Sequence, residues 1–315
     1  MERNGYIKAM LELREKLYAY YFFYDKYIRY ILRFILFCIA FAVIAGTFGY
    51  EAGFEKPWIV IGVSLISTFL PDGIVVFVAF LYTIVQLYFL SPVIAGCIAA
   101  ISFVLYFMLV VYNRKFILTV LFIPVCIICK VPFFIPIILG LFFTPASVLS
   151  AGSGIVVYYA MCAVKKCETL VADSEDMLVI VKKLMDSIVY CKEMYAMLIM
   201  VCMAVVLTYM IRVQRINYAF ELAIVFSVVS SYVVLIIGNI AFQCKFSVLW
   251  TLHGAVLSGI FAFMVHFVHM VLDYGAAENV QFEDAEYYYY VSAVPKLKMT
   301  VGNKKVKRIY ERNKS

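Results

Sequence analysis

Apolar residues in this chain run in long blocks, and the polar positions fall in short clusters between them. Tyr30 to Gly49 carries only Arg33, Pro57 to Tyr112 only Asp72, and Phe116 to Ala163 only Lys130. Three further blocks follow, Met194–Ile211, Tyr218–Phe242 and Phe246–Leu272. Blocks of this length and continuity predict membrane-spanning helices at roughly 20 residues per crossing. The fold class expected is an all-α polytopic integral membrane protein, with roughly 8–10 transmembrane or re-entrant helices and a small cytoplasmic β-element at the C-terminus.

The polar clusters set the expected topology. Lys26, Arg29 and Arg33 precede the first span, Asn113-Arg114-Lys115 links two blocks, and Arg212 and Arg215 link two more. Short basic links stay in the cytoplasm. With all of these on one side, 57–112 and 116–163 must each cross an odd number of times, the loop 165–193 lies outside, and both termini lie inside a cell membrane. No cleavable signal peptide is expected, because charged and tyrosine-rich residues precede the first apolar block.

Residues 1–29 place Leu13, Leu17, Tyr20, Tyr24, Tyr27 and Ile28 near a 3.6-residue period. This predicts an amphipathic helix, lying on the membrane or packed on the protein's own cytoplasmic face. In the outer loop, Leu178, Val181, Leu184, Met185 and Ile188 recur at helical spacing after Asp173-Ser174, whose side chains are suited to cap a helix. The transmembrane domain is therefore 30–272, and 273–315 forms a basic cytoplasmic tail. Within it, Glu286–Val294 is β-prone, Pro295 ends that strand, and Leu297–Val301 and Lys304–Ile309 read as a hairpin around Gly302-Asn303.

Punctuation inside the two nearly chargeless blocks suggests a pathway. Residues 57–112 break at Leu70-Pro71-Asp72-Gly73 and at Ser91-Pro92; residues 116–163 break at Lys130-Val131-Pro132 and at Thr144-Pro145. As repeats entering from opposite sides they would be inverted, each folding as three short helices or as one span plus a re-entrant hairpin. The few residues between Pro132 and Pro145 favour re-entry there. Broken helices in matching places mark transporter sites. The substrate or ion pathway expected from this pattern comprises Pro71, Asp72, Gly73, Lys130, Pro132, Pro136, Gly140, Thr144, Pro145, Gly152 and Gly154. The plainer alternative places Asp72 and Lys130 at interfacial turns, reaching to water.

Composition closes off other classes. The 315 residues are 65% hydrophobic and 15% charged, and the mean hydropathy is +0.96, values no soluble domain has. The net charge of +7 sits beside spans and so speaks for topology, with no nucleic-acid partner. The expected partners are the lipid bilayer, a second copy of the chain and a cytoplasmic protein at the tail. No cofactor is implied, and no nucleophile–base pair suggests an enzyme. Cys126 and Cys129 form a lone CxxC that reads as core packing, and Cys167 and Cys191 could pair outside or remain thiols. His266, His269 and Asp273 share a helix face but make a poor metal cage, so no metal is expected.

The tail segment Gln281-Phe-Glu-Asp-Ala-Glu-Tyr-Tyr-Tyr-Tyr-Val-Ser-Ala-Val-Pro-Lys296 resembles the C-terminal motif of a group of uncharacterised polytopic membrane proteins of Gram-positive anaerobic bacteria. The proline-rich segment from Lys130 to Pro145 and the order of spans are similar too. The resemblance implies the membrane fold and no particular activity; some members carry a loose permease label, which would require a coupling helix and a partner ATPase. The function expected is that of a transporter or channel-like protein. The rival is a non-transporting scaffold whose Tyr287, Tyr288, Tyr289 and Tyr290 pair with a partner's strand.

Overall fold

A computed structural model describes residues 2–48, 56–173, 177–214, 216–244, 246–269, 278–284 and 286–293. Eleven α-helices are described: α1 (Glu2–Phe48), α2 (Pro57–Phe69), α3 (Asp72–Leu90), α4 (Pro92–Tyr112), α5 (Thr119–Ile128), α6 (Phe134–Phe142), α7 (Val148–Asp173), α8 (Met177–Val189), α9 (Lys192–Val213), α10 (Ala219–Phe242) and α11 (Val248–His269). Two strands follow, β1 (Glu278–Glu283) and β2 (Tyr288–Ala293). Two compact units result, Lys26–Phe267 and a second made of Met1–Asp25 with Val268–Ser315.

Among the described residues, seven helical stretches are long and apolar enough to cross a membrane: Lys26–Phe48, Asp72–Leu90, Pro92–Tyr112, Pro145–Glu168, Met177–Val213, Ala219–Phe242 and Val248–His269. Large apolar side chains such as Phe103, Phe226 and Ile240 lie on their outer surface. A belt of this size fits lipid rather than water. The protein is a multi-pass membrane protein.

Contacts within the larger unit fix which helix ends lie together. Arg33 bonds Asp72, and Val76 packs with Leu109, Ile117 and Val120. Phe116 and Phe143 meet edge to face, Asn113 donates to the Ala146 carbonyl at 2.5 Å, and Arg212 donates to the Leu141 carbonyl at 2.6 Å. Every described arginine of this unit thus lies at one end, called here the arginine end. At the other, α8 buries Ile180, Leu184 and Ile188 in the cluster that holds Ile94, Ala95, Val164 and Cys167, while Met177, Leu178 and Val179 face outward. This two-faced helix packs on the bundle instead of crossing it.

The α5–α6 segment is a hairpin that starts and ends at the arginine end. Helix α5 runs parallel to α7, since Val120 and Ile123 meet Gly154, while Ile127 and Lys130 lie level with Tyr158 and Cys162. Helix α6 returns along α9, where Gly140 abuts Thr208. The turn between them has a defined chemistry. Val131 N–H donates to Cys126 C=O at 2.8 Å and Lys130 N–H to Ile127 C=O at 3.0 Å, with Lys130 at φ 62°. That is a Schellman helix stop with lysine in the left-handed position. Pro132 cannot continue a helix.

Helix lengths separate the two blocks. Block 57–112 forms helices of 13, 19 and 21 residues and block 116–163 forms helices of 10, 9 and 26. At a rise of about 1.5 Å per residue, α5 and α6 reach only about 15 Å. Proline sits where it does least harm in α6, since Pro136 lies in the first turn, whose N–H groups have no helical partner.

In the second unit, β1 pairs antiparallel with β2, Val280 opposite Val291. Strand β2 takes up Tyr288–Ala293 of the β-prone stretch, and its partner is Glu278–Glu283, which its polar-looking sequence did not announce. The hairpin expected over 297–309 lies outside the described residues. So does the expected cap at Ser174; α7 runs on to Asp173 before α8 begins at Met177.

Candidate functional site

The sequence-derived pathway residues do not converge on one place. Pro71, Asp72 and Gly73 sit at the arginine end, where α3 starts. Asp72 lies in its first turn, a position favoured for a carboxylate by the helix dipole. Its Oδ1 is 2.5 Å from Arg33 Nη2, with the two side chains 47% and 32% exposed. The same guanidinium donates to the Leu70 carbonyl at 3.2 Å. These contacts fasten the α2–α3 turn to α1, a structural duty at an interface.

The glycines close the bundle. A Cβ on Gly140 would lie 2.6 Å from Thr208 Cβ and 2.7 Å from the Val205 carbonyl; one on Gly154 would lie 2.9 Å from Ile123 Cβ. Small residues at these crossings let backbones approach. Pro136 and Gly140 are buried, Gly152 meets Leu198, and Thr144 accepts the Ser147 N–H at 3.0 Å beside Pro145. The breaks are therefore tightly packed along most of the hairpin, and its foot at Thr144-Pro145 is an ordinary capped turn.

Lys130 and Pro132, of this group, line a cleft. The Lys130 carbonyl is pressed against α11, where a Cβ on Gly254 would stand 2.8 Å away. Gly254 is twelve residues from His266, whose ring stacks on Phe220 at the arginine end with centroids 5.7 Å apart. Twelve residues of helix rise put the hairpin tip about 18 Å from that end. The surrounding helices continue past it, and the volume left above the tip is a cleft of about 370 Å³.

Five helices and two links converge on the cleft. The turn after α5 brings Lys130, α7 brings Tyr158, Tyr159 and Lys166, α9 brings Glu193 and Met197, and α11 brings Trp250 and Thr251. The Lys130 ammonium lies 3.5 Å from the Trp250 ring centroid, an arrangement that holds a cation by the ring's quadrupole. Tyr158 and Tyr159 meet edge to face with centroids 5.2 Å apart, and the Glu193 charge acts on both phenols. Asn239 holds the roof: it donates to the Phe246 carbonyl at 3.1 Å and accepts the Phe246 N–H at 3.3 Å. A polar basin of about 420 Å³ adjoins the cleft, shares Lys166 and Glu193 with it, and adds Asp186, Lys192, Cys191 and Cys244. Burial, with the nearby Glu193 and Cys191 charges, pushes the Cys244 thiol up.

A second, enclosed space lies between α1, α3, α4, α5 and α7 and measures about 50 Å³. Its walls are apolar apart from Thr83 and Ser102. It has room for little more than a water molecule and offers too few polar partners to hold one, so it is a packing void.

The remaining sequence candidates are dispersed. His266 is buried against Phe220, with the Glu221 charge acting on it; His269 ends α11 and Asp273 lies outside the described residues. Among the described residues no three His, Cys, Asp or Glu side chains group as metal ligands. All nine cysteines, Cys167 and Cys191 included, are free thiols. Tyr287, Tyr288 and Tyr289 are exposed beside or within β2, and Tyr290 pairs with Gln281 across the strands.

Tyr158, Tyr159, Glu193 and Trp250 were missed by the sequence reading. Trp250 does lie one turn into its span and Glu193 at the start of another, but only the hairpin's return makes them neighbours of Lys130. No protein-family model, curated protein or solved structure matches the chain.

Proposed function

We propose that the protein carries a small solute across a cell membrane and that the cleft above the α5–α6 hairpin is its solute-binding site. One observation supports this most. A half-depth hairpin turns under a cleft of about 370 Å³ lined by five helices, and the hairpin tip, α7, α9 and α11 direct ionisable and aromatic side chains into it. Small-molecule sites have this character, a concave apolar surface with a few convergent polar groups. Backbone freed from helical bonding at membrane depth, as at Lys130-Val131-Pro132, persists only beside protein or a water-filled cavity. Arginines gathered at one end of the larger unit favour the cytoplasmic side for that end. The cleft then opens outward.

Transport requires that the site be reached from each side in turn. A thiol at position 130, in a protein otherwise free of cysteine, will react with a membrane-impermeant maleimide added from the α8 end. In a fraction of molecules it will react with reagent added from the arginine end. Reaction from the α8 end alone makes the protein a receptor and overturns the transport reading.

A second reading rests on the smaller unit. Tyr287 and Tyr288 are 63% and 71% exposed, and the described sheet has only two strands. A partner strand could add to either edge, and the spans would then serve as an anchor. Removing residues 278–293 separates the readings. Solute flux survives the deletion if the cleft is the working part and is lost if partner assembly through the tail is what matters.

A further inference from the structure

Opposite charges stand on different walls of the cleft. Lys130 is carried on the α5 side, beside Trp250 and Thr251 of α11. Glu193 is carried on the α9 side, close enough to Tyr158 and Tyr159 of α7 for its charge to act on both phenols. Among the described residues neither charge has a salt-bridge partner; the Arg33–Asp72 pair lies at the opposite end of the bundle. Lys130 is held on an aromatic face, which leaves its ammonium protons free to donate. Between the two charges the walls are apolar, from Ile127, Met197, Leu235 and Phe246.

Lys130 and Glu193 present opposite charges from different walls of a small, partly apolar space, with Lys166 of α7 a second cation on its lining, and such a mixed-sign space defines a ligand by complementarity. A simple anion would meet Glu193 and be repelled, and a simple cation would meet Lys130. A molecule with both signs satisfies both walls. We infer that the cleft binds a zwitterionic solute bearing a carboxylate and an ammonium group, of amino-acid type, with its carboxylate at Lys130 and its ammonium at Glu193. The ammonium would also lie against the faces of Tyr158 and Tyr159, which attract cations. A volume of about 370 Å³ holds an amino acid with a side chain of moderate size, whose apolar part would meet Met197 and Leu235. The inference rests on the cleft being the solute site, as proposed above.

Trp250 supplies the readout. The chain has two tryptophans, and the other, Trp58, lies 80% exposed on α2. In full-length Trp58→Phe protein in lipid nanodiscs, emission comes from Trp250 and senses the Lys130 ammonium above it. Glycine, L-leucine and L-phenylalanine would be titrated, with 4-methylpentanoate and isoamylamine as leucine analogues lacking one charge each. The expected result is a saturable change with at least one amino acid. For leucine, the midpoint rises about tenfold or more in each single-charge analogue, and in Lys130→Gln and Glu193→Gln, as expected for losing a charged hydrogen bond. Lys130→Arg should retain binding, which separates loss of charge from loss of fold.

Absence of a saturable response to all three amino acids overturns the inference. So does a 4-methylpentanoate or isoamylamine midpoint equal to that of leucine, or unaltered amino-acid binding in both glutamine variants. The transport reading fails separately. Amino-acid binding with position 130 reachable from only one side leaves this inference standing and removes transport, whereas two-sided access with no zwitterion binding does the reverse.

Discussion

Gly254→Ala tests whether the hairpin tip is seated on α11. The new methyl would lie 2.8 Å from the Lys130 carbonyl oxygen and 3.3 Å from Pro132 Cδ. The first contact is with backbone, so no side chain can rotate away. That oxygen belongs to a turn fixed by the Val131 N–H bond to Cys126 and by a left-handed Lys130, which leaves displacement of the whole tip as the relief. Overpacking of this kind costs about 1–3 kcal/mol, against a helix-propensity gain of up to about 1 kcal/mol for replacing glycine. The net expectation is a loss of about 1–2 kcal/mol. Gly152→Ala is the control: its methyl would meet only Leu198 Cδ2 at 3.4 Å, an ordinary contact with a flexible tip, so it should be neutral or slightly stabilising. Equilibrium unfolding in mixed micelles, followed by Trp250 emission in the Trp58→Phe background, measures both. Equal stability of the two variants would refute the seating of the tip on α11.

Other expectations follow from individual contacts. Arg212→Gln removes the charged bond to the Leu141 carbonyl at the end of α6 and should destabilise by about 1–2 kcal/mol in the same unfolding assay, with Arg212→Lys intermediate. Asp72→Asn should alter stability by less than about 1 kcal/mol, because the pair with Arg33 is part-exposed, and should leave solute binding unchanged; a large loss of binding would return Asp72 to the solute path. In a variant keeping only Cys244, alkylation should be slow at neutral pH and accelerate only as pH rises beyond the ordinary thiol range, since burial favours the protonated form. A rate profile matching a free thiol would place Cys244 in open water.

Much of the architecture is legible in the sequence, because lipid imposes it on every apolar block. Tyr30–Gly49, Met194–Ile211, Tyr218–Phe242 and Phe246–Leu272 each contain most of a spanning helix, and the residues between Pro132 and Pro145 are too few to cross. The amphipathic period from Leu178 to Ile188 likewise announces α8. What the sequence does not reveal is three-dimensional adjacency. Pro71-Asp72-Gly73 and Lys130-Val131-Pro132 look alike as punctuation, yet one is a turn tied to Arg33 and the other a hairpin tip that faces a cleft and Trp250. Glycines that suggest flexibility in a list of residues are packing contacts once Thr208 and Ile123 are opposite them. Glu193 and Tyr159 carry no local signal at all; they matter through being on α9 and α7, whose approach is set by the hairpin between them.

The account depends most on α5 and α6 turning back inside the membrane beneath an open cleft. Single thiols at positions 130, 144 and 251, in a cysteine-free protein in sealed vesicles, report this directly when an impermeant maleimide is added from one side at a time. Positions 130 and 251 should label from the α8 end and position 144 from the arginine end, with 130 slower than 251 because it lies deeper. Labelling of 144 from the α8 end would mean that α6 crosses the membrane, and failure of 130 to label from that end would mean that the cleft is closed and dry; either result contradicts the account.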